Sequence, residues 1–222
     1  MKAIAIDGPA GAGKSTIAKM VAKNKGIVYV DTGAMYRTMA LACIEEGIDP
    51  DDEQKVSDKV ADIPISIVYR DDTQHVMLGD QDVSDKIRNE NIGNAASKVA
   101  RYKKVRERLV SLQRAMANEQ EVVMDGRDIG TVVLPDASCK IYLTASVEVR
   151  AKRRFDELTE KGQTVNITEI EEDIRLRDEQ DMNRKESPLK QAEDAVYVDT
   201  SDMTIEDVVK KIEEIYDGHK NS

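Results

Sequence analysis

Short apolar runs at residues 3–6, 27–30, 122–124, 140–143 and 195–198 are set apart by longer segments of mixed polarity, and helix-length stretches lie between most of them. Strands alternating with helices predict a mostly parallel sheet covered on both faces. An aspartate closes each of the first three runs (Asp7, Asp31, Asp125), and Asp199-Thr200 closes the last. In open α/β sheets, ligands bind beyond the carboxyl ends of the strands, so these positions are where chemistry is expected. The last segment, Thr204-Ile205-Glu206-Asp207 followed by Val208, Val209, Ile212 and Ile215, combines a capping box with a helical apolar stripe and predicts an amphipathic packing helix.

Two stretches break the alternation. Residues 63–82 read as an antiparallel hairpin with arms 65–69 and 75–78 joined across Asp71-Asp72. Residues 147–187 are dense in charge, hold Gly162 in a polar loop, and end where Pro188 is expected to stop a helix; they read as a mobile lid. No internal repeat or long linker appears. The expectation is one α/β domain over residues 1–222, with an insert at about 60–95 and a lid at about 147–187.

Composition narrows the function. No run reaches the roughly 18 apolar residues of a membrane span, and the opening residues run into a glycine-rich loop instead of a cleavage site, so a soluble, cytoplasmic chain is expected. Two cysteines, Cys43 and Cys139, build no disulfide framework, and two histidines, His75 and His219, make no Cys/His zinc cluster. Lys and Arg number 33 against 43 Asp and Glu, a net charge of −10, which argues against a nucleic-acid polymer as partner. Few aromatics, 4% with no Trp, argue against base-stacking platforms. A small anion held by converging arginines stays open.

Gly8-Pro9-Ala10-Gly11-Ala12-Gly13-Lys14-Ser15 fits G-x-x-x-x-G-K-[ST] between the first strand and a helix expected to begin near Ser15. Glycines let the backbone fold around phosphates with its N–H groups inward. Lys14 would reach the β- and γ-phosphates, Ser15 would ligate Mg2+, and Thr16 would complete the ATP-binding stretch. A guanine-reading N-K-x-D is absent, and the run ending Met124-Asp125-Gly126 lacks the glutamate of mechanical ATPases. A kinase of a small acceptor is the class left in front.

Further motifs are Asp31-Thr32-Gly33-Ala34-Met35-Tyr36-Arg37, Asn94-Ala95-Ala96-Ser97, Val105-Arg106, Asp125-Gly126-Arg127-Asp128-Ile129-Gly130-Thr131, and Arg177, Asp181 and Asn183-Arg184 ahead of Pro188. With the phosphate loop, they resemble the bacterial cytidylate kinases, nucleoside monophosphate kinases of the P-loop class, from residue 2 to about 215. That resemblance implies a doubly wound parallel sheet with a hairpin insert that binds the monophosphate and a helical lid. It implies Mg2+-dependent transfer from ATP to CMP, and to dCMP, by a monomer in pyrimidine nucleotide metabolism. It puts Asp128 and Ser97 on the cytosine amine, Arg106 on N3, and Arg37, Arg127 and Arg184 on the acceptor phosphate. It puts Asp181 on the sugar hydroxyls with Arg177 and Arg184 alongside, and Asp31 in the same acceptor set. Lys14, Arg127 and Arg184 would be the catalytic cations.

Plainer readings stand beside these. Asp128 could be a helix cap. Arg177, Asp181 and Arg184, at i, i+4 and i+7, would share one helix face and could be a surface salt ladder. Arg150, Arg153 and Arg154, at i, i+3 and i+4, could close over the transferring phosphoryl group or merely offset Glu148, Asp156 and Glu157. A phosphate acceptor needs no general base, so both histidines are left as surface groups. A different nucleoside monophosphate kinase, a hydroxyl-acceptor kinase with Asp31 as base, or a nucleotide-sensing protein without turnover are the competing classes.

Overall fold

The computed structural model describes residues 2–70 and 73–220, with side chains through Gly218. Along the chain, β1 (Ala3–Asp7) leads to α1 (Lys14–Lys25), and β2 (Val28–Asp31) to α2 (Thr32–Glu45) and α3 (Glu53–Lys59). Strands β3 (Ile65–Arg70), β4 (Thr73–Leu78) and β5 (Gln81–Asp82) follow, then α4 (Glu90–Val99) and α5 (Lys103–Glu119). The chain closes through β6 (Val122–Gly126), β7 (Cys139–Thr144), α6 (Val147–Glu160), α7 (Ile167–Asn183), β8 (Val196–Asp199) and α8 (Ile205–Lys220). The expected runs become a five-stranded parallel sheet of order β2-β6-β1-β7-β8. The chain packs as two compact units, one of residues up to 29 with those from 121 onward, the other of residues 30–120.

In the first unit, all five residues of β1 are buried, with Ile4 opposite Val123 on one side and Cys139 on the other. A parallel strand covered on both faces must be apolar throughout, which is why these runs show no alternation. Ile4, Ile6, Ile17, Val21, Val123, Leu143, Val198 and Ile212 form the core. Each such side chain, fully buried, contributes about 1.5–3 kcal/mol. The final helix starts as its sequence predicts: Thr204 Oγ1 accepts from the Asp207 N–H and donates to the Asp207 carboxylate.

The lid segment forms α6 and α7, which pack on each other. Pro188 does not end α7. The helix stops at Asn183 because Arg184 turns extended (φ −62°, ψ 143°), and the chain then passes through Ser187 at φ 49°.

In the second unit, Met35, Met39, Val56, Ile65, Val76, Val99 and Leu109 belong to a core shared by helices and hairpin. The hairpin pairs Ile65 with Leu78 through Arg70 with Thr73, and its Asp71-Asp72 turn lies outside the described residues. A short third strand, β5, was not expected; it is two exposed polar residues with no apolar signal. His75 on β4 sits 2.7 Å from Asp82 on β5, while the His219 side chain lies outside the described residues.

Both cysteines are buried and unbonded, Cys43 in the second unit and Cys139 in the first. Burial pushes both thiols up, Cys139 to about 12. Among the described residues no helix is long and apolar enough to cross a membrane.

Candidate active site

From the end of β1 the chain turns through residues 8–13 into α1. A Cβ at Gly8 would stand 1.9 Å from the Leu143 carbonyl oxygen of β7, so only glycine fits. Gly13 precedes α1 at φ 83°, a left-handed conformation, and gives the helix no side-chain cap. The first-turn amides and the positive end of the helix dipole therefore form a ready anion cradle. Lys14 is buried, with its Nζ donating to the Pro9 carbonyl at 2.7 Å. Burial and the Arg127 charge pull its ammonium down to about 7, against Asp125, Asp181 and Asp7, which favour the charged form.

Ser15 Oγ donates to Asp125 Oδ2 and the Tyr29 hydroxyl to Asp125 Oδ1, both at 2.8 Å. Neither Asp125 nor Tyr29 was among the expected site residues. The available signal for Asp125 was its place at the end of an apolar run, which it shares with Asp7 and Asp31. Nothing local marks Tyr29, whose partner is 96 positions away.

Beyond β6 the expected acceptor residues of this unit come together. Arg127 Nε bonds Asp181 Oδ2 at 2.8 Å, and Arg184 approaches both Asp181 (3.8 Å) and Asp128 (3.7 Å). Arg184 has left the helix, so it does not extend the α7 face from Arg177 and Asp181; Nε donating to the Ser187 carbonyl at 2.7 Å holds it in place. The side chains of Arg184 and Asp128 are only 6% exposed, unlike a solvated ladder. Burial alone would raise Asp181, but Arg127, Arg184 and Arg177 together hold it below its ordinary value. Asp128 precedes the π turn Ile129–Val133 without capping it by its side chain.

The lid arginines diverge. Arg150 is buried, donating to the carbonyls of Ala145 and Ala10 at 2.9 Å each and to Asp178 Oδ2 at 2.6 Å. Arg153 reaches the Thr200 carbonyl at 2.8 Å. Arg154 is half-buried and pairs with Glu157 at 3.0 Å. Their shared face is thus divided among three destinations, and Asp178 is a partner that spacing did not flag.

The 30–120 unit carries its own share. Asp31 caps α2, Oδ1 accepting from the Ala34 N–H at 2.9 Å, and the same oxygen lies 3.8 Å from Arg37. Arg106 is buried, donates to the Ala100 carbonyl at 3.2 Å, and stacks over the Tyr36 ring at 5.5 Å. Ser97 donates to the Gly93 carbonyl of its own helix at 3.3 Å.

A family model described as cytidylate kinase matches residues 4–217. The chain belongs to the cytidylate kinase family. As a family member it is a kinase, a phosphotransferase. Cytidylate kinases of Lactobacillus gasseri (50% identical, covering 96% of this chain and 92% of theirs) and Bacillus pumilus (49%, 94% and 93%) are similar over nearly their whole length. That of Caldicellulosiruptor saccharolyticus is 47% identical over 96% of this chain and 94% of its own. Among solved structures, a sugar kinase from Janibacter sp. HTCC2649 shares the fold at 13% identity, TM-score 0.50, covering 98% of this chain and 95% of that one.

Proposed function

We propose that this kinase transfers the γ-phosphoryl group of ATP to CMP, and to dCMP, in the presence of Mg2+, giving CDP or dCDP and ADP. The observation that carries this is the largely buried, alternating cluster of Arg127, Asp181, Arg184 and Asp128, in the same unit as Lys14 and the 8–13 loop. Buried guanidinium groups are well matched to a bidentate phosphate, and their carboxylate partners keep them paired when it is absent.

The 8–13 backbone, Ser15 and Thr16 hold the triphosphate. A phosphate oxygen of CMP, already largely ionised with its second pKa near 6, forms the new bond to the γ-phosphorus as the bond to the bridging oxygen of ADP breaks. Lys14, Arg127 and Arg184 stabilise the charge in flight, and no general base is needed. Ser15 and Asp125 are hard oxygen donors that would hold Mg2+, which takes one or two carboxylates with phosphate and water and, when bound, neutralises β- and γ-phosphate charge. Arg37, braced by Asp31, takes the acceptor phosphate, while Asp181 and Arg177 take the sugar. Asp128 and Ser97 accept from the cytosine amine and Arg106 donates to N3. Of the lid arginines, Arg154 goes to the transferred group, because Arg150 is committed to Ala10 and Asp178, and Arg153 to Thr200. The enzyme acts as a cytoplasmic monomer in pyrimidine nucleotide metabolism.

Uracil reverses the donor and acceptor at the edge that Asp128 and Arg106 read, leaving buried partners unsatisfied, so kcat/KM for UMP should fall at least about tenfold below CMP. A panel of CMP, dCMP, UMP, AMP and GMP with ATP and Mg2+ checks this. Equal turnover of UMP removes the assignment of Ser97, Arg106 and Asp128.

A further inference from the structure

Asp7 is the last residue of β1, 5% exposed, and outside the acceptor set described above. Its Oδ1 accepts from the Ile129 N–H and its Oδ2 from the Gly130 N–H, each at 2.7 Å. Those amides open the π turn Ile129–Val133, which its own flanking residue leaves uncapped. The space there is tight: a Cβ on Gly130 would stand 3.4 Å from Asp7 Oδ2 and 3.2 Å from Lys140 Cδ. On the other side, the Asp7 backbone is paired in register with Gly126, the last residue of β6. Arg127 and Asp128 are the only two residues between these anchor points. Asp128 stands at φ −149°, ψ 26°, neither helix nor strand; its carbonyl accepts from the Val132 and Val133 N–H groups at 2.9 and 3.1 Å, and the Asp7 bonds to Ile129 and Gly130 add a second hold from the other side of the turn.

We propose that Asp7 is a positioning residue for the acceptor, pinning the Arg127-Asp128 dipeptide by its backbone on one side and its carboxylate on the other. The inference rests on the assignment of Arg127 and Asp128 made above. A buried carboxylate in an otherwise apolar strand is unfavourable unless its bonds compensate. Two short bonds to amides 122 and 123 positions away offset part of that cost, and they join the strand that launches the phosphate loop to the segment bearing the acceptor groups.

Asp7→Asn tests this, since the amide keeps the shape but offers one acceptor and turns an NH2 toward the other N–H. The KM for CMP should rise about tenfold or more, as expected for losing a hydrogen bond to a charged acceptor, while the KM for ATP stays within about twofold. Exchange of the Ile129 and Gly130 amides should quicken while that of α1 amides holds. Parallel rises in both KM values with a lowered Tm would mean a merely structural role and overturn the proposal. An unchanged KM for CMP, in an enzyme where Arg127→Ala raises it, also overturns it. If Arg127→Ala leaves that KM unchanged as well, the acceptor assignment itself falls and the positioning role with it. Should Asp7→Asn not fold, Asp7→Glu keeps charge and both acceptors but displaces them by a methylene. The same split of KM values is expected there, and an equal rise in both, or none, overturns the proposal.

Discussion

Asp7, the last residue of β1, and Asp125, the last but one of the adjacent β6, lie one register step apart, and both are about 5% exposed. They differ in what donates to them. Asp7 holds two backbone amides, and Asp125 holds two hydroxyls, those of Ser15 and Tyr29. An amide is fixed in the chain, so a carboxylate bound to two of them sets where the chain runs. A hydroxyl can rotate and exchange donation for acceptance, so under the proposed Mg2+ role Ser15 would release its bond in favour of the cation while Tyr29 keeps the carboxylate aimed. Two carboxylates one register step apart thus differ: one is held by fixed backbone amides, the other by hydroxyls that the proposed Mg2+ role would let go.

The sharpest way to break this contrast is Asp125→Asn. Loss of a charged oxygen donor beside Ser15 should lower kcat about 10²–10³-fold, since metal charge stabilisation is worth several kcal/mol. The Mg2+ concentration for half-maximal rate should rise, which a titration at saturating ATP and CMP measures. An effect confined to the KM for CMP would make Asp125 a second Asp7.

Acid titration of stability comes next. Burial pushes Asp7 from 3.8 to about 6, with Asp128 adding to the rise and the Gly130 and Ile129 amides and Lys14 opposing it; Tyr142 is its register neighbour on β7. The folded chain then holds a proton that the unfolded chain releases between those values. The resulting stability is fully present below pH 3.8 and is lost as pH rises through about 6. Relative to Asp7→Asn, the wild type should therefore lose up to about 3 kcal/mol between pH 4 and 7 in urea denaturation. Parallel curves would remove the buried titration.

Smallest is Tyr29→Phe, which removes one donor to Asp125 Oδ1. Stability should fall by about 1–2 kcal/mol with kcat changed only a few-fold, because Ser15 and the carboxylate remain. A loss of rate as large as that of Asp125→Asn would mean that the tyrosine hydroxyl does more than aim.

What could be read from the sequence follows the range of the forces involved. The central strands β1 and β6 were legible because doubly covered strands are continuous apolar runs, and the phosphate loop because its backbone needs specify glycines at fixed spacing; the edge strand β8 showed as an apolar run although Tyr197 is exposed. Strand β5 was not, since two exposed polar residues pair only because β4 offers an edge. The side-chain order of the site is largely non-local. Arg150 was legible as a helix-face arginine, but its choice of Ala10 and Asp178 depends on packing across 140 and 28 positions. The i+7 spacing of Arg184 suggested a helix that in fact ends one residue earlier, and its side chain reaches Asp181 all the same.

The two buried thiols have a practical consequence for anyone placing probes on this enzyme. Alkylating reagents attack the thiolate, and both Cys43 and Cys139 are sheltered from solvent and held protonated at neutral pH. The native chain is thus a silent background for maleimide chemistry. A single cysteine introduced at an exposed position, such as Glu160 at the end of α6, would carry a dye alone, without first removing either native residue.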